Sequence, residues 1–165
     1  MYDRHYWMPV MDVVRDPPPQ DSDHLTELLT ICKDGMDFYL HAADVVEHQG
    51  VKTTFLEIAQ TRRAIIEDLL REISETGKHP DVNGSMTFTL RKWYADAQHF
   101  VLRYDSAPFL EQLLAVEDAT LAHFERAREE IKQPEWVMHL ASCMTTFRQT
   151  RDRLKALYDD VGPRH

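Results

Sequence analysis

Glycine and cysteine are scarce in this chain, with five of the first and two of the second in 165 residues. A sheet protein with many tight turns would use more glycine, so the composition leans towards helix. Cys32 and Cys143 sit far apart, each inside an apolar helical pattern, and read as small buried hydrophobes rather than as a disulfide or a metal thiolate. Nowhere do 18 apolar residues run together, so no membrane span or membrane insertion is expected. The start, "MYDRHYWMPVMDVVRDPPPQ", mixes charges with its apolar residues and has no signal-peptide core, so the expected compartment is the cytoplasm. No Lys/Arg-rich block occurs, and with a formal charge of −9 and a pI near 5.4 the chain repels a phosphate backbone, which argues against a nucleic-acid partner. Neither a Gly-x-Ser-x-Gly turn nor a Gly-rich phosphate loop is present, so no catalytic residue is assigned.

What is present is a long, periodic apolar pattern. Residues 1–20 stand apart as an N-terminal arm, rich in aromatics and Met and closed by "DPPP", which favours an extended linker. Its Tyr2, Tyr6, Trp7, Met8, Val10, Val13 and Val14 are expected to pack on the body or on a second subunit. From there to residue 162 one domain is expected. A first helix, about 22–48, follows from Leu25, Leu28, Leu29, Cys32, Met36, Tyr39, Ala42 and Val46 at three- and four-residue steps. A second, about 51–76, carries Val51, Phe55, Ile58, Ile65, Leu69 and Ile73. After the break "TGKHPDVNGS" a shorter crossover helix is expected at about 85–104. The third main helix, about 107–132, opens near Pro108, and the fourth, about 134–160, opens at Pro134. Two hairpins of long helices with a long crossover between them predict an all-α, ferritin-like four-helix bundle.

A di-iron bundle takes one Glu from each of two helices and Glu-x-x-His from each of the other two, because i and i+3 share a face. No Glu-x-x-His occurs in the second or fourth main helix, where the relevant turns read "QTRRAII" and "TTFRQTRDR".

The segments "CKDGMDFYLHAADV", "LEIAQTRRAIIEDLL", "AVEDATLAHFERA" and "TRDRLKALYDD" resemble the bacterial ferritin-like four-helix proteins of unknown function, over most of the chain from Leu25 to Tyr158. "FYLHA" at 38–42 is also similar to the first helix of bacterioferritins. The resemblance implies metal-ligand positions, and these are degenerate here. Ile31 stands where bacterioferritins place a ligand glutamate on the first helix, Thr61 where relatives carry Glu on the second with Ala64 three residues later, and Thr146 and Arg151 where relatives have Glu and His on the fourth, so that Glu117 on the third keeps the one acid, with Asp118 beside it. One carboxylate does not offset the dehydration of a metal ion, so no metal or other cofactor is expected.

If the helices pair as the loops suggest, Arg62 and Arg63 lie near the level of Glu117. One of them is expected to reach Glu117 as a buried ion pair, supplying positive charge where relatives hold metal. The competing view leaves all three as solvated surface charges. Three functions are then open. The first is a non-catalytic, metal-free bundle serving as an interaction or structural module, homo-oligomeric through the arm or bound to another protein. The second is a metal-dependent enzyme or handler of iron or manganese, with an unconventional site drawn from Glu117, Asp118, Asp37 and His41. The third is a phosphotransfer bundle working through His41, which has the small neighbours "LHAADVV" but no nearby Lys. The nine histidines otherwise read as plain polar positions, His48, His99 and His123 among them.

Overall fold

The computed structural model describes residues 21–75 and 107–161. They form four helices and no strand: α1 Asp21–Val45, α2 Gln49–Glu75, α3 Ala107–Glu130 and α4 Pro134–Val161. The N-terminal arm and the expected crossover helix lie outside the described residues, as does His99.

Each helix buries one stripe. On α1 it is Leu25, Leu28, Leu29, Cys32, Phe38, Tyr39 and Ala42; on α4 it is Trp136, Leu140, Cys143, Met144, Phe147 and Leu154. Burying such a side chain is worth about 1.5–3 kcal/mol, so these faces hold the helices together where the two tight connections alone could not. The first connection is residues 46–48 and not the expected 49–50, because α1 ends at Val45 and α2 already starts at Gln49 and includes Gly50. His48 caps it: its carbonyl accepts from the Lys52 amide at 3.0 Å and its Nδ1 accepts from the Val51 amide at 3.2 Å, the positions a capping side chain serves. A Cβ on Gly50 would stand 3.1 Å from the His48 ring, so the glycine makes room for the cap.

The second connection is closed from outside. The Asp21 carboxylate, in the first turn of α1, accepts from the backbone amides of Lys132 at 3.1 Å and Gln133 at 3.0 Å. Pro134 then opens α4, where a missing N–H costs nothing.

Helix α1 packs on α2 and on α3, and α4 packs on α3 and on α2, which makes a ring of four. All four neighbouring pairs are antiparallel. The start of α1 meets the end of α3 through Asp21 and through His24 with Glu130, 3.5 Å apart, while Glu57 near the start of α2 meets Arg153 near the end of α4 at 2.9 Å. It follows that α2 and α3 point the same way, and Glu75 and Ala107 lie at opposite ends of the bundle. The core has two halves. One joins Phe38, Ala42, Val51, Phe55, Leu110 and Leu154; the other joins Leu25, Leu69, Ile73, Phe124, Leu140 and Phe147.

Candidate functional site

Between the two halves of the core lies a narrow polar waist. Arg62 on α2 is the largest fully buried side chain among the described residues, with none of its surface exposed, and Glu117 on α3 is 1% exposed. Arg62 Nη2 donates to Glu117 Oε1 at 2.5 Å, and the Tyr39 hydroxyl, from α1, donates to the same oxygen at 2.7 Å. A charged hydrogen bond in so dry a place is strong, and either charge without the other would cost several kcal/mol.

Aromatic rings complete the cradle. The Arg62 guanidinium carbon lies 5.5 Å from the centre of the Tyr39 ring and 5.1 Å from that of Phe147, within cation–π range of both. Tyr39 is itself held edge-on by Phe38 and Phe55, each with ring centres 5.4 Å away, and Phe147 by Phe124 at 4.9 Å. Gly35 on α1 faces the guanidinium: a Cβ there would stand 2.6 Å from Nη1 and 2.7 Å from Cζ. Glycine in a helix interior costs about 1 kcal/mol against alanine, and here it leaves the volume the arginine fills. The other buried polar groups of this level are satisfied by backbone, with the Thr120 hydroxyl donating to the Val116 carbonyl at 3.0 Å and that of Thr150 to Phe147 at 2.9 Å.

Cys32 belongs to the same neighbourhood. Burial pushes its thiol up to about 12, with the Arg62 charge opposing that rise. A thiol held protonated is a packing group, not a nucleophile.

Of the two arginines considered from the sequence, the structure brings Arg62 to Glu117 and leaves Arg63 exposed, one helical step round α2. The positions read as vacated metal-ligand places do not converge on Glu117. Ile31 is buried among apolar neighbours, Thr61 is half-buried, and Ala64 and Thr146 are exposed. Arg151 turns outward and binds Asp118 with two bonds, Nε to Oδ1 at 2.8 Å and Nη2 to Oδ2 at 3.3 Å. The physical reason is register: at 100° per residue, a motif offset by one position leaves the axis of the bundle, which is why Arg62 points in while Thr61 and Arg63 do not. Asp37 and His41, named for an unconventional site, are exposed on α1. Tyr39, Gly35 and Phe147 as partners of the arginine escaped the sequence reading. The one signal for them was a glycine in mid-helix, "KDGMDF", which often marks a close approach.

The sequence family described as "Domain of unknown function (DUF2383)" matches residues 20–130. The chain belongs to that family. No curated protein matches it, and no solved structure does. The stretch matched includes Gly35, Tyr39, Arg62 and Glu117, three of the four helices and the whole polar waist apart from Phe147 and Thr150.

The waist does not fit the pair of iron ions that a ferritin-like resemblance implies. Glu117 Oε1 is engaged by a guanidinium and a phenol, and a cation fills the space beside it. Among the described residues no three His, Cys, Asp or Glu side chains gather in a way that holds a metal ion, and no helix is long and apolar enough to cross a membrane.

Proposed function

We propose that this DUF2383 chain is a ferritin-like bundle in which the Arg62 guanidinium takes the central place of a metal, and that its task is structural or interactive rather than catalytic. The observation that carries this reading is the closed Tyr39–Glu117–Arg62 cluster, a buried cation whose countercharge and ring contacts all come from the chain itself. A centre that supplies its own cation has its carboxylate neutralised without any ion from outside. The surface then remains as the working part, and we assign it the binding of further copies of the chain, through the N-terminal arm among other contacts, or of another protein in the cytoplasm.

The test is metal content by mass spectrometry on untagged protein, as purified and after soaking with ferrous iron and desalting. The expected result is traces far below one ion per chain in both samples, unchanged by Glu117→Ala. Stoichiometric iron or manganese that is lost in Glu117→Ala overturns the reading and makes the protein a metal-dependent enzyme or an iron handler.

A further inference from the structure

The outer face shared by α2 and α4 differs from the rest of the surface. Two shallow grooves of about 370 and about 290 Å³ follow one another between these helices and share Gln60 and Thr61. They run from Thr53 to Asp68 along α2, which at 1.5 Å per residue is about 22 Å. Charged residues stand towards the two ends, Glu57 with Arg153 one turn inside the first and Asp68 with Arg71, 3.2 Å apart, at the other. Between them the exposed residues that line the grooves are Gln60 and Ala64 on α2 and Ser142 and Thr146 on α4, with Arg63 and Glu67 exposed outside the grooves, and residues 140–147 of α4 carry no charge at all. In a chain that is 28% charged this is a marked gap, and loss of charge at the centre with polar residues at the rim is how protein interfaces differ from ordinary surface.

We infer that this α2–α4 face is where two copies of the chain meet, related by a two-fold axis near the level of Ala64. Two observations choose a second copy. Each chain carries a net −9, so copies repel one another over most of their surface and can approach most cheaply where charge is missing. Beside the strip on α2, Arg63 and Glu67 are both exposed, are opposite in sign and four residues apart, and neither makes an ion pair within the described residues. An antiparallel copy sets Arg63 of each chain against Glu67 of the other, so the contact made twice is attractive, as an isologous interface requires. A strip about 22 Å long and two helices, about 20 Å, wide lies at the low end for specific association, so the dimer forms with rising concentration.

This inference deepens the reading of the protein as an interaction module, and the two fail separately: stoichiometric metal ends that reading, whereas the experiment here concerns the face alone. Sedimentation of the full chain over a wide concentration range is expected to move from 19.4 kDa towards twice that mass. Arg63→Glu is expected to weaken association about tenfold or more by placing two acids together, and adding Glu67→Arg to it restores most of the loss. Ala64→Arg abolishes the dimer while leaving thermal unfolding of this exposed site unchanged, and Ala64→Cys gives an intermolecular disulfide on oxidation. A monomer at every concentration overturns the inference. So does a dimer indifferent to both Ala64→Arg and Arg63→Glu, which places the contact elsewhere.

Discussion

At the scale of single residues the bundle is organised round one arginine. Breaking a buried pair costs more than the pair itself contributes, because the survivor keeps its charge without its countercharge. Glu117→Ala is therefore expected to destabilise the protein by about 3–5 kcal/mol, a fall in melting temperature on the order of 10 °C. Arg62→Leu together with Glu117→Met should lose much less than either single change, since two apolar groups leave nothing unpaired. Thermal unfolding of the three variants checks this, and additive losses would place the pair in water instead of in the core. Gly35 gives a sharper test. Alanine is the better helix former, yet its Cβ at 2.6 Å from Nη1 forces the guanidinium off its rings, so Gly35→Ala is expected to destabilise by about 1–3 kcal/mol. In the Arg62→Leu background the same change should turn neutral or stabilising, and a cost that persists there would assign the glycine to something other than the arginine. The sequence alone placed Arg62 and Arg63 at the right level but offered no choice between them. That choice is a matter of 100° about the α2 axis, and the apolar stripe of α2 resolves it only once Ile58, Ile65 and Leu69 are known to share a face with Arg62.

At the scale of elements the helices were legible because an apolar stripe repeats along each, and three- and four-residue steps admit no strand. Their ends were less so. The second helix, expected from about residue 51, already starts at Gln49 with Gly50 in its first turn, because the imidazole of His48, an uncommon cap, satisfies the Val51 amide. The tie from Asp21 to residues 132 and 133 spans more than a hundred positions and leaves no local mark. It accepts from two amides of the α3–α4 corner, so Asp21→Ala is expected to cost about 1 kcal/mol and to raise hydrogen exchange at Lys132 and Gln133 ahead of the helix interiors. Amide exchange read residue by residue is the measurement. Unchanged protection at those two positions would mean that the α3–α4 turn holds itself.

For the whole molecule, short connections foretold antiparallel hairpins, whereas the order of the helices round the ring depends on which faces meet and had to come from the structure. That arrangement puts both cysteines inside, where burial raises Cys32 to about 12 and Cys143 to about 11. The sign of the resulting pH dependence follows from linkage. The unfolded chain releases these protons near the ordinary thiol range and the folded chain only well above it, so the stabilisation is complete below about pH 9 and is lost as the pH climbs towards 11 and 12. Each thiol contributes a slope of up to about 1 kcal/mol per pH unit in that window. Denaturant midpoints measured from neutral to strongly alkaline pH are thus expected to fall steeply above pH 9, and Cys32→Ala, though less stable at neutral pH from the cavity it leaves, should fall less steeply. All other groups are common to both proteins, so the difference in slope isolates Cys32. Equal slopes would mean that its thiol ionises as freely in the folded chain as in the unfolded one, which a fully buried side chain packed in the half of the core with Phe124 and Phe147 cannot do.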